Sequence, residues 1–420
     1  MKTKGALRSS VNAALLIGAA ASACPWPGWG AAGILTGRVL GYYYGAVYTT
    51  LLSFGRVGAP GGQYPVAGLT AGSDVLLGTA SSPGRAFALS PPKDDAPSWS
   101  ELVVAKLGSP ANQPLTIIDA NQIAGVEPAD VFLLTNAGKS MTKTFIYRFT
   151  GGAGGAAPTS GVTLGPAGVL YGTATGGANN AGLVYKLMPN ASGGYTQAVV
   201  YAFAGGIGGT NPTGGVVFGP GGLLYGTTAF GGSSTCTYIA NASGCGVVYD
   251  LTLTGTEKLI YKFPGGEGGA GPASLTVDSR GSIYGSTTAG GSGQGTIFQL
   301  TRSKTGAFSF SQLYAFTNGV DGHTPNTPLL VDSDGAIYGT AQGGAVGLGT
   351  LFMLAPPVRP KKPWTLEVLH TFTGDRGNKT TPPDGAYPSG GLLIDLSGAL
   401  YGITTEGGAN GTGSVYKLVP

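Results

Sequence analysis

A chain of 420 residues with 78 glycines and only 10% charged residues departs from ordinary composition, since an average protein holds roughly 7% Gly and 25% charge. Apolar residues still reach 42%, which excludes a disordered low-complexity chain and leaves the glycines as turn-formers between apolar runs. The net charge is +4, and without Lys2, Lys4 and Arg8 it falls to 20 basic against 19 acidic residues; with no basic stripe, neither nucleic acid nor an anionic membrane surface is an expected partner.

The chain opens with three basic residues, an apolar run at 11–20, and Ala21-Ser22-Ala23. That order predicts a signal peptide over 1–23 with cleavage before Cys24, and so a secreted, periplasmic or cell-surface protein. Ala21 stands where a lipoprotein signal carries Leu, which favours simple cleavage over lipidation of Cys24. Residues 24–46 read as a linker. No later apolar run has the length of a membrane span.

The first strand-like run is VYTTLLSF, 47–54. Weaker runs follow at 75–79, 86–89 and 99–107, then at 115–119, 131–135 and 144–149. In that second group the span from Phe132 to Phe149 is too short to hold a clear third strand, which predicts a truncated or divergent unit. From residue 150 one pattern repeats: LYGTATGGANNAGLVYKL (170–187), then copies at 224–251, 283–300, 337–354 and 400–418. The repeated tyrosines, Tyr171, Tyr225, Tyr284, Tyr338 and Tyr401, are spaced by 54, 59, 54 and 63 residues. Each unit holds four apolar runs of strand length, separated by turns such as GPAG (165–168) and DSDG (332–335). Four antiparallel strands per unit of this size predict a β-propeller blade; a parallel β-helix, with its shorter coils, ranks second.

The fourth runs end at Phe54, Leu107, Phe149, Phe203, Phe263, Phe316 and Phe372. The expected fold is therefore all-β: a seven-bladed propeller of four-stranded blades over 47–420. The last run, 414–418, is of third-strand type, and 47–54 is a fourth strand without companions. Pairing of the two would close the ring and remove exposed sheet edges. The Tyr of each YGT is expected to pack between blades rather than to bind sugar.

The pattern LYGTxxxGGxxxxGxVYKL, with Gly-Gly at 176–177, 231–232, 290–291, 343–344 and 407–408, resembles the GloVer (Gloeo_Verruco) tandem-repeat proteins. The likeness covers five copies between 150 and 418 and is fainter over 47–149. It includes D-G-x-x-P at 321–325 and 384–388. The resemblance implies an exported bacterial repeat protein and no particular activity. It also implies a C-terminal sorting segment, whereas Lys417-Leu418-Val419-Pro420 carries no hydrophobic tail, so no anchor is expected.

Cys236 and Cys245 sit nine apart in the one enlarged repeat loop. In an exported chain they are expected to form a disulfide, and no ligand set for a metal accompanies them. Strand order puts the loops leading into each first strand on one face with the glycine-rich loops between second and third strands. That face offers Glu267, Asp321, His323, Asp384 and Glu406 as binding candidates. Asp321, His323, Asp384 and Glu406 are also the candidates for catalysis, as paired carboxylates and a base. Against this, Asp321 and Asp384 head D-G turns and suit backbone capping. The favoured function is a scaffold binding a glycan, a peptide or a cell-envelope protein, acting as a monomer without cofactor or metal. A polysaccharide hydrolase or lyase is the alternative.

Overall fold

In the computed structural model residues 46–55, 63–73, 75–92, 98–137, 140–236, 243–359, 362–377 and 383–420 are described; the expected signal peptide, Cys24 and the linker as far as 45 lie outside them. Seven four-stranded antiparallel sheets form a ring, a seven-bladed propeller. Blades 1 to 6 occupy 70–106, 116–148, 163–202, 216–262, 270–315 and 330–371. Blade 7 takes three strands from 385–419 and its outermost, Val47–Ser53, from the other end of the chain. That strand runs antiparallel to Ser414–Val419, from Val47 opposite Val419 to Ser53 opposite Ser414, which is the expected closure.

Blade 4 shows why these residues make these strands. Val216–Phe218, Leu224–Thr228, Val247–Leu251 and Glu257–Lys262 are short apolar runs. Gly221 takes the first turn at a φ of 79°, in the left-handed region that favours glycine, although Ala167 holds the same place in blade 3 at 55°. In blades 5, 6 and 7 an aspartate builds the same turn: the Asp332 carboxylate accepts the backbone N–H groups of Asp334 and Ala336 at 3.0 and 2.9 Å. Its other oxygen accepts the Tyr338 hydroxyl at 3.2 Å. The DSDG segment is thus a capped hairpin. The YGT tyrosines are between 1% and 4% exposed and pack towards the neighbouring blade, as Tyr171 does on Phe218.

One device recurs in all seven blades. The glycine of the second strand (Gly78, Gly125, Gly172, Gly226, Gly285, Gly339 or Gly402) lies directly opposite an aromatic of the third. A Cβ on any of these glycines would collide with that ring. In six blades the phenylalanine ending the preceding blade's fourth strand meets the same ring edge-on, with centroids 5.1–5.4 Å apart. In the remaining case Leu107 packs with Phe132.

Blade 2 corrects the sequence reading: it has all four strands. The unrecognised one is Gln122–Glu127, QIAGVE, which lacks the tyrosine of the repeat. It joins Asp130–Asn136 through a two-residue turn, so the glycine-rich loop that marked the other blades is missing; the run at 131–135 is the third strand rather than the second, and the span to Phe149 has only the fourth left to hold.

In blades 3, 4 and 7 the covering aromatic is a tyrosine, and the hydroxyls of Tyr185, Tyr249 and Tyr416 are buried with no hydrogen-bond partner. Phe87, Phe132, Phe298 and Phe352 fill the same place elsewhere. Tyr249→Phe should therefore leave stability unchanged or raise it by about 1 kcal/mol, the scale of an unsatisfied polar group. Gly226→Ala, beneath the same ring, should cost about 2–3 kcal/mol through overpacking. Urea unfolding of both variants checks this, and an alanine variant as stable as the parent would refute the close packing.

Candidate functional site

Seven short segments converge on the propeller axis. Each carries a proline just before a first strand or, at Pro272 and Pro388, within its opening residues: Pro65, Pro110, Pro158, Pro212, Pro272, Pro325 and Pro388. Five of these rings pack against the glycine that opens the third strand of the preceding blade. The pairs are Pro65 with Gly413, Pro212 with Gly182, Pro272 with Gly246, Pro325 with Gly295 and Pro388 with Gly349. Those glycines have φ between 92° and 106°. Any Cβ there would strike the proline, so the repeat must place glycine before its third strand.

The one to three residues after each proline line a central cavity of about 630 Å³, within the size range of small-ligand sites. Asn112, Gln113, Ser160, Asn326, Thr327 and Ser389 supply polar groups, and Gln342 and Thr405 join them from second-strand ends. These contributors put the cavity on the same side as the glycine-rich loops. Among the described residues no charged side chain lines it. Below, threonines of four first strands tie neighbouring blades together. Thr70, Thr116, Thr163 and Thr276 donate to the carbonyls of Leu115, Val162, Val216 and Leu329, each at 2.5 Å. Gln113 bridges blades 2 and 3 by accepting the Gly161 N–H at 3.2 Å. The Ser389 hydroxyl is buried and has no partner.

The candidate carboxylates do not enter this cavity. Asp321 is 4% exposed. It accepts the Thr317 N–H and hydroxyl at 2.8 and 2.7 Å, the Gly319 N–H at 3.0 Å and the Tyr314 hydroxyl at 3.0 Å. Burial pushes its pKa up, but these hydrogen bonds outweigh burial and hold it below the usual value. The Tyr314 hydroxyl is pushed up to about 12 by burial and then by Asp321. Asp384 does the same work one blade on: it accepts the Thr373 N–H and hydroxyl, both at 2.8 Å, and faces His370 Nε2 at 3.1 Å. Burial raises this carboxyl, and His370 with Thr373 brings it below its ordinary value. In blades 3, 4 and 5 tight glycine turns at 152–154, 206–208 and 266–268 close the corresponding loops. Asp321 and Asp384 therefore tie loops shut.

The Nδ1 of His323 lies 3.0 Å from the Thr324 hydroxyl. Its backbone bridges Gln342. Glu267 and Glu406 are exposed on the rim. Cys236 and Cys245 are joined, and the disulfide packs against Gly265 of the next lead-in loop. Among the described residues no group of three His, Cys, Asp or Glu could hold a metal.

Residues 235–420 match the Gloeobacter/Verrucomicrobia repeat family. The family match thus covers the last copies of the pattern, where the YGT tyrosines are Tyr284, Tyr338 and Tyr401. No curated protein matches the sequence. The seven-bladed ring is similar to the extracellular domain of a putative hybrid two-component system from B. thetaiotaomicron. That likeness has a TM-score of 0.54 at 12% identity, over 88% of this chain and 39% of that one. A luciferin-regenerating enzyme gives 0.45 at 11% identity, over 90% and 96%. The PQQ domain of a pyranose dehydrogenase from Coprinopsis cinerea gives 0.46 at 12%, also over 90% and 96%. At such identities the likeness concerns the fold alone.

Sequence reasoning missed the cavity residues and His370. The signal for the first was the proline that opens every blade. For His370 it was position, because it stands two residues before Phe372, where Tyr147, Tyr201, Tyr261 and Tyr314 precede their own phenylalanines.

Because the folded pKa of Asp321 lies below its unfolded value, near 3.9, its stabilisation is complete above that value and is lost as pH falls through the folded one. The parent should exceed Asp321→Asn by about 1–3 kcal/mol at pH 7, the range for hydrogen bonds to a charged group. That advantage should vanish near pH 2 in urea titrations. An advantage independent of pH would rule out the ionised carboxylate as its source. Glu406→Gln should change nothing.

Proposed function

We propose that this propeller is an exported binding module that takes a neutral, polar ligand of glycan chemistry in its central cavity, on the glycine-loop side. The observation that carries this reading is a ligand-sized cavity lined by amides and hydroxyls with no charge among the described residues. Such groups both donate and accept, as sugar hydroxyls do, and they sit on a framework already hydrogen-bonded from blade to blade. Pre-organised groups lose little freedom on binding.

Export is supported by the 1–23 signal pattern and by the disulfide, which suits an oxidising compartment. Among the described residues no helix is long and apolar enough to cross a membrane. The hydrolase alternative gains nothing from Asp321 and Asp384, whose oxygens are occupied in loop closure.

A panel of neutral and acidic oligosaccharides, titrated against the chain from residue 24 by calorimetry, tests the reading. Neutral oligosaccharides should bind, and Gln113→Ala and Asn326→Ala should each weaken them about tenfold, the value of one or two lost hydrogen bonds. Preference for uronate-rich oligomers, or release of shortened products, would overturn it.

A further inference from the structure

Tyr387 stands at the lip of the cavity and is 44% exposed. Its backbone is left-handed at φ 55°, a region that bulky side chains avoid. In blade 1 Tyr64 holds the equivalent chain position, immediately before Pro65 and next to the lining residue Val66, at φ 51° and 37% exposed. The loop does not need an aromatic here. Asn211, Gly271 and Thr324 precede the corresponding prolines of blades 4, 5 and 6 at φ 61°, 63° and 48°. Nor does the core need it, because neither ring belongs to the packed clusters of blades 7 and 1. The backbone of each is tied down, Tyr387 N–H to the Leu348 carbonyl at 2.7 Å and Tyr64 N–H to that of Thr412 at 2.8 Å. Two adjacent blades, on either side of the ring closure, thus hold a large exposed ring in a conformation that smaller residues adopt elsewhere.

Resting on the glycan reading above, we propose that Tyr64 and Tyr387 form a stacking platform for the pyranose rings of a neutral, gluco-configured oligosaccharide whose end enters the central cavity. An aromatic face carries negative quadrupolar charge and attracts the polarised axial C–H groups of a sugar. Gluco-configured pyranoses present only C–H groups on both faces. Their hydroxyls are equatorial and point outward in the ring plane, towards amides such as Gln113 and Asn326. Among the described residues the cavity lining offers a uronate no cation. A peptide with charged ends or side chains would find no counter-charge there.

The test titrates β-glucan hexasaccharides, their manno-configured and uronate counterparts and a neutral hexapeptide against the chain from residue 24. Variants are Tyr387→Asn, Tyr64→Asn, Tyr387→Phe and Gln113→Ala. Asn is the residue blade 4 already carries at this position, so folding should survive, and thermal unfolding verifies it. The glucan should bind best. Each Asn variant should weaken it about tenfold, the scale of one aromatic contact, and abolish the upfield NMR shifts of the sugar C–H protons. Tyr387→Phe should bind as the parent does. If glucan binding falls in Gln113→Ala but not in the Asn variants, the platform is wrong and the cavity reading stands. If only the peptide binds, or nothing does, both fail.

Discussion

The architecture depends on a contact in which one partner has no side chain. In every blade an aromatic of the third strand lies across a glycine of the second, in space that a single methyl would close. Laid flat, the ring turns its edge to the preceding blade, where a phenylalanine meets it in six of the seven interfaces. Cross-strand packing within a sheet and packing between sheets are therefore one contact. This explains why the motif is YGT followed by a third-strand Phe or Tyr rather than a freely varied apolar run: enlarging the glycine would displace two blades. Interiors packed to crystal density tolerate little of that.

A second glycine constraint links the scaffold to the site. The left-handed glycine before each third strand leaves room for the next blade's proline in five places. The proline fixes where the chain turns down towards the axis. The residues that follow it reach the cavity whatever their chemistry, so they are free to vary: Val66, Gln113, Ser160, Asn326 and Ser389 all line the same space. Rigid repetition outside and variation inside is how one scaffold serves different ligands.

Most of the fold was legible because its determinants are local and repeated. Strand-length runs, hairpin turns and seven terminal phenylalanines or leucine could be read directly, and closure followed from an unpaired strand type at each end of the ring. Blade 2 was misjudged because Gln122–Glu127 keeps the glycine but not the tyrosine, and its loop shrinks to a two-residue turn. The site was harder to read. Carboxylates draw attention in a chain with so few charges, yet Asp321 and Asp384 have their oxygens filled by neighbouring hydroxyls and backbone. The cavity residues are ordinary Asn, Gln, Ser and Thr. They gain meaning only when seven distant segments meet, which no single window of sequence reveals.

The seam of blade 7 bears on how the protein is made. The Thr412 hydroxyl bonds to the Phe54 carbonyl across a sequence separation of 358 residues, about as non-local as a contact in this chain can be. Such pairings carry a loop-closure cost and slow folding. Synthesis delivers Val47–Ser53 long before Ser414–Val419. The first strand therefore waits, with an open edge, until its partner strand has emerged, and the ring cannot close before then. During that interval the unpaired strand is a template for aggregation. How long that edge stays open is set by the time taken to make the chain between the two strands and not by the stability of the finished ring.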